Sequence, residues 1–254
     1  MFNLINKVAV VTGGGSGIGK SVSRVLAGQG ATVHVLDLNP ENANEVVAEI
    51  VNAGGKGEAQ ICNVAIQADV LTVFQALGKI DILVNNAGIP HIGTLETTSE
   101  ADFDKIVQVN IKGVYNCLFA AVPVMRANGG GVIVNMSSIA AIVGITNRFA
   151  YSMSKGAVSA MTLSVARDYL QHNIRCNSVS PARVHTPFVD NFIAKNYPGK
   201  EQEIFETLSK SQPIGRMASP DEIANLVLYL CSDEASFITG TDYPIDGGFV
   251  RLNN

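Results

Sequence analysis

The sequence holds no CxxC pair; its four cysteines, Cys62, Cys117, Cys176 and Cys231, stand far apart. That spacing excludes a zinc ribbon and a small disulfide framework, and it fits buried, reduced thiols. His34, His91, His172 and His185 show no metal-ligand spacing either, so no metal is expected. Positive charge is scarce: 18 Lys and Arg against 22 Asp and Glu leave a net charge of −4. No basic stripe appears, which argues against a nucleic-acid partner. No apolar run reaches the roughly 20 residues that span a bilayer. Residues 1–7 show no charged leader followed by an apolar stretch and a small-residue cleavage site. Linkers, repeats and low-complexity tracts are also lacking. Together these absences predict a soluble cytoplasmic protein with no membrane partner, folded as one domain over residues 1–254.

What is present is core-forming: the 254 residues are 47% hydrophobic and 16% charged. Short β-branched runs alternate with helix-like stretches. Strands are expected at 8–11, 32–36, 57–62, 80–84, 131–136 and 174–180, with a last short one within 239–248. Between them, helices are expected at 20–29, 42–53, 66–77, 100–127 and 151–171. This alternation predicts an α/β fold, a doubly wound parallel sheet of seven strands with helices on both faces. From 182 to 212 the pattern loosens around Pro187, Pro198 and Gly199, and a substrate-covering lid is expected there.

The first strand runs into Thr12-Gly-Gly-Gly-Ser-Gly-Ile-Gly19, then a helix, a second strand and Asp37. Glycines at 13, 17 and 19 would let the backbone approach a pyrophosphate at a helix N-terminus. Asp37 at the strand end would accept the ribose hydroxyls and repel a 2′-phosphate, which predicts NAD over NADP. The ligand edge of such a sheet is the carboxyl end of its strands. Asn63, the Asn85–Gly88 turn and Ser137-Ser138 all fall there. On the following helix, Tyr151 and Lys155 are four residues apart, hence on one face. A cation beside a phenol favours its ionised form, so Tyr151 is a candidate acid/base.

These residues resemble the short-chain dehydrogenase/reductase family from about Lys7 to Phe249. The resemblance rests on Thr12-Gly13-x-x-x-Gly17-x-Gly19, Asn85-Asn86-Ala87-Gly88, Asn110, Ser138, Tyr151-x-x-x-Lys155 and the Pro181 to Thr186 turn, all in family order. It implies a Rossmann fold and hydride transfer with a nicotinamide cofactor. It also implies that Tyr151 is the acid/base, with Lys155 on the cofactor ribose and, with the nicotinamide charge, lowering the phenol pKa. Ser138 would steady the substrate oxygen, and Asn110 would hold a water linking Lys155 to solvent. The implied cofactor contacts are Gly13, Ser16, Gly17, Ile18, Gly19, Asp37, Leu38, Asn63, Val64, Asn86, Ala87, Gly88, Tyr151, Lys155, Pro181, Val184 and Thr186. Two departures stand out: Asn63 where the family commonly has aspartate, and Ala182 where glycine usually follows the proline.

The family does not fix a substrate. Arg148, three residues before Tyr151, and Arg183 at the start of the lid suit a carboxylate. Asn147-Arg148-x-x-Tyr151 looks like the subgroup of 2-keto-3-deoxy-L-fuconate and cytosolic 3-hydroxybutyrate dehydrogenases. The substrate expectation is therefore a small hydroxy acid or deoxy sugar acid, bound by Ser138, Arg148, Tyr151 and Arg183. Neutral sugars, polyols or 3-oxoacyl groups are the alternative. Arg216 is expected in an internal salt bridge. In this family two outer helices pair across a two-fold axis, which implies a homotetramer.

Overall fold

Runs too apolar and too short for helices become strands, and the helices between them lie on the two faces of one sheet. The computed structural model describes residues 1–252. In chain order the elements are β1 (Val8–Thr12), α1 (Gly17–Gly28), β2 (Thr32–Asp37), α2 (Pro40–Asn52), β3 (Lys56–Ile61), α3 (Gln67–Leu77) and β4 (Ile82–Asn85). They continue with α4 (Glu100–Ile106), a π-helical stretch (Val107–Lys112), α5 (Gly113–Ala127), β5 (Gly131–Met136), α6 (Phe149–Asp168) and β6 (Ile174–Pro181). Last come α7 (Pro187–Asn196), α8 (Glu201–Lys210), α9 (Pro220–Cys231), β7 (Asp242–Ile245) and α10 (Phe249–Leu252).

All seven strands are parallel, in the order β3-β2-β1-β4-β5-β6-β7. The order reverses between β1 and β4, so their carboxyl ends diverge and open a crevice. Both faces are buried. Alternate residues of β1 show this directly: Val11 packs with Val22, Leu26 and Val227 on one face, and Val10 with Phe74, Val114 and Val158 on the other. Each such side chain, fully buried, stabilises the fold by about 1.5–3 kcal/mol.

Helix starts follow local chemistry. Asn39 accepts from the Asn42 N–H, and Pro40 fits the first turn, so α2 begins two residues before the expected position. Ser219 and Glu222 form a capping box that opens α9, with Pro220 next to the cap. The expected helix 100–127 is instead interrupted by the π-helical turn at 107–112, which contains Asn110. The expected helix 151–171 runs over Phe149–Asp168 and closes in a tight turn at Leu170–His172. The segment 182–212 carries α7 and α8. Its base is pinned where Ala218 N donates to Arg183 O at 3.0 Å and His185 N to Ala218 O at 2.8 Å. Among the described residues, no helix is long and apolar enough to cross a membrane, and no cluster of His, Cys, Asp or Glu could hold a metal ion.

Candidate active site

The crevice begins where β1 ends. Gly13 and Gly17 adopt left-handed backbone at φ +61° and +50°. A Cβ on Gly19 would overlap the Gly13 carbonyl oxygen, so close chain approach requires glycine there. Ser16 precedes α1 in extended backbone and caps nothing with its side chain. The first N–H groups of the helix are thus left for a ligand, at the positive end of its dipole.

Thr12 has no expected role of its own, yet its hydroxyl fastens the two diverging strands. Thr12 Oγ1 accepts from the N–H groups of Asn86 and Ala87, each at 3.0 Å. Asn86 answers by donating Nδ2 to the carbonyls of Thr12 and Gly13, both at 3.1 Å. The Asn86–Gly88 turn and the glycine loop are therefore one rigid unit.

At the outer end, Asp37 uses both carboxylate oxygens on the chain itself. It accepts from Gly15 N at 2.9 Å and from Asn39 N at 3.0 Å. Leu38 beside it is exposed. Asn63 Oδ1 accepts from Ala65 N at 3.1 Å, and the Val64 side chain is buried in the sheet core. A glycine-lined approach, free helix amides and a strand-end carboxylate together fit a dinucleotide. A nicotinamide dinucleotide bound there would supply a centre that takes or gives hydride.

At the other end, β5 and α6 bring the expected catalytic groups together. Ser138 follows β5; its hydroxyl accepts from Ala140 N at 3.2 Å and lies close enough to the Tyr151 phenol to favour the phenolate. The neighbouring Ser137 turns inward: it meets the Ser159 hydroxyl at 2.9 Å and donates to Lys155 O at 3.2 Å. Lys155 is buried, donates Nζ to Met136 O at 2.7 Å, and sits 5.7 Å from the centre of the Tyr151 ring. Burial pulls its ammonium down to about 8. The Tyr151 phenol is pushed above its ordinary value: burial outweighs the Ser138 hydroxyl and the Arg148 charge. In the chain alone the lysine does not depress the tyrosine as expected. Desolvation of the pair wins, and the charge of a bound cofactor would have to reverse it.

The Asn110 side chain is fixed by three hydrogen bonds. Its Oδ1 accepts from Ile89 N at 2.8 Å, and its Nδ2 donates to Ile89 O at 2.9 Å and Ser154 Oγ at 3.1 Å. Both amide hydrogens are spent bracing the post-β4 turn and α6, so a water held by this side chain would donate to Oδ1.

Between these ends lies a cleft of about 640 Å³. Of the expected cofactor contacts, Gly13, Ser16, Gly17, Ile18, Asn86, Ala87, Gly88, Tyr151, Lys155, Pro181, Val184 and Thr186 line it. Gly19, Asp37, Leu38, Asn63, Val64 and Asn110 lie outside its walls. Arg148 and Arg183 line it too, with Ser138. Arg148 is aimed by Asn147, which takes left-handed backbone at φ 59°. Desolvation lowers the pKa of both guanidiniums, and the Arg148 charge lowers Arg183 further. Neither arginine makes an ion pair among the described residues. Arg216, by contrast, pairs with Glu222 through two contacts of 2.7 Å. Ile89, Pro90, Ile145, Leu208, Gln212, Met217 and Phe249 are among the other residues of the wall. Sequence reasoning missed them because they carry no motif.

The family described as Enoyl-(Acyl carrier protein) reductase matches residues 13–250. The chain is 40% identical over 252 residues to a cyclohexanol dehydrogenase of Acinetobacter sp. (strain SE19), covering 96% of this chain and 95% of that one. It superposes on L-sorbose reductase from Gluconobacter frateurii, complexed with NADPH and L-sorbose, at a TM-score of 0.94 and 28% identity over 98% of each chain. It superposes on 7α-hydroxysteroid dehydrogenase, complexed with NADH and 7-oxo glycochenodeoxycholic acid, at a TM-score of 0.88 and 35% identity over 100% of this chain and 98% of that one.

Proposed function

The chain belongs to the short-chain dehydrogenase/reductase family, and from that premise we propose that it is an NAD-dependent dehydrogenase of a small hydroxy acid or deoxy sugar acid. That it is an oxidoreductase of alcohols and ketones follows from the family. The finer reading is carried by one observation: Arg148 and Arg183 stand in the cleft wall near the reacting tyrosine, crowded together and lacking acidic partners. Two uncompensated guanidiniums at a partly desolvated wall favour an anionic ligand.

In this reading Tyr151 takes the proton of the alcohol as the substrate is oxidised, or gives one to the ketone in reverse. Ser138, beside the phenol, donates to the substrate oxygen as negative charge develops on it. Lys155 holds the cofactor ribose and adds positive charge beside the phenol. Asn110 positions Ile89 and Ser154, hence the floor of the site and the helix turn between Tyr151 and Lys155. Asp37 supports NAD, because a 2′-phosphate would approach a fixed carboxylate. The helices α7 and α8 serve as a lid over the substrate. The exposed aromatic pair Tyr115 and Phe119, ring centres 5.8 Å apart on α5, supports a homotetramer, whose mass light scattering would read. A cytoplasmic location fits four cysteines that are all free and buried.

Arg148→Met tests the acid reading. It should raise KM for the acid by at least about tenfold, the loss of one charge-assisted hydrogen bond of about 1.5 kcal/mol or more, while cofactor affinity stays as it was. Unchanged KM would discard the carboxylate role. A second reading, a neutral alicyclic or polyhydroxy alcohol, is favoured by the apolar wall of Ile89, Ile145, Leu208, Met217 and Phe249 and by the similarity to a cyclohexanol dehydrogenase. Turnover of such alcohols with indifference to Arg148 would establish it.

A further inference from the structure

Gln212 follows α8, is 3% exposed, and forms part of the cleft wall with Leu208, Met217 and Arg183. Its Nε2 donates to Ser211 Oγ at 3.0 Å. The single hydroxyl hydrogen of Ser211 goes to the Leu208 carbonyl at 2.6 Å, and Arg183 Nε donates to the same oxygen at 3.0 Å. These bonds settle the orientation of the amide. A flipped Gln212 would set two acceptor oxygens against each other with no hydrogen between them. Oε1 therefore points away from Ser211, and it is buried without a hydrogen-bond partner.

Buried amide oxygens are nearly always satisfied, so an orphan beneath a cleft wall marks a place that a ligand's donor reaches when the segment after α8 shifts to uncover it. The donor is a neutral one. An ammonium would have to settle beside Arg148 and Arg183, whose charges already disfavour one another. A hydroxyl carries no such penalty, and its own oxygen can accept from a guanidinium.

We propose that Gln212 is a specificity-determining residue whose Oε1 accepts a hydrogen bond from a substrate hydroxyl other than the one oxidised. The inference rests on the reading of this cleft as the alcohol site. Where the acid reading also holds, the substrate is a polyhydroxy acid, its carboxylate on the arginines and a second hydroxyl on Gln212.

The test compares two pairs of alcohols that differ by one hydroxyl: 3-hydroxybutyrate with 3,4-dihydroxybutyrate, and cyclohexanol with cyclohexane-1,2-diol. In the wild-type chain, kcat/KM should favour the diol by at least about tenfold in one pair or both. Gln212→Met should bring that ratio towards one, chiefly through KM. Gln212→Glu, which keeps an acceptor oxygen, should retain more of the preference. Fluorescence titration with NADH confirms that both variants fold and bind cofactor. Absence of any diol preference in the wild-type chain, or equal losses on both members of a pair in Gln212→Met, would overturn the proposal. The neutral pair has no carboxylate, so the two readings fail separately. A chain that ignores both acids but prefers the diol refutes the acid reading and keeps Gln212. One that turns over both acids alike, and cyclohexanol and its diol alike, refutes Gln212 alone.

Discussion

Lys155 donates its Nζ to the main-chain oxygen of Met136 at 2.7 Å, which ties helix α6 to the end of β5 and holds the amine beside Tyr151. Among the described residues the amine reaches no carboxylate, and burial has brought it to about 8. The phenol it faces is displaced upwards by the same burial. Desolvation is the leading cause of both shifts, so the rate profile reports how far a bound cofactor's charge offsets it.

The sign of the pH dependence follows. Alcohol oxidation needs Tyr151 without its proton, and burial favours the protonated form, so kcat/KM for oxidation should climb as pH rises from 6 to 9. Ketone reduction needs the proton and should fall over the same range. Tyr151→Phe should cut kcat in both directions by about 10²–10⁴-fold with NADH binding preserved. Lys155→Met removes the cation that favours the phenolate, so the midpoint of the oxidation profile should move upward. Flat profiles in both directions would contradict this acid/base assignment.

Asp37 predicts cofactor choice. Its carboxylate braces Gly15 and Asn39 at 2.9 and 3.0 Å and so cannot swing aside for a 2′-phosphate without breaking both bonds. Asp37→Ser should narrow the preference for NAD over NADP by at least about tenfold, or about 1.4 kcal/mol. Thermal stability should fall as well, since two N–H groups lose a charged acceptor. Steady-state kinetics with each cofactor reads the first effect and calorimetry the second. An unaltered preference would take the discriminating role from Asp37.

The sheet was legible because buried parallel strands are written locally: Val8–Val11 and the run around Ile133 are short and β-branched, and glycines stop them. The cradle was legible for the same reason, since Gly13, Gly17 and Gly19 answer to backbone geometry within a few residues. Asn110 was not. Its π-helical turn is held by Ile89, 21 positions away, and Ser154, 44 positions away, and no local pattern encodes such pairings. Gln212 and Phe249 line the cleft only because residues 182–212 and α10 fold against it. The four-residue spacing of Tyr151 and Lys155 reveals a neighbouring cation but not how much water the fold removes, and that burial raises the phenol in the chain alone.

The central claim is tested most directly by following NADH or NADPH appearance on hydroxy acids, deoxy sugar acids, free sugars, polyols and alicyclic alcohols, with both oxidised cofactors in parallel. Turnover of acids with NAD, well above that of neutral alcohols or of any substrate with NADP, is the predicted result. Turnover confined to neutral alcohols, or a preference for NADP, would contradict it.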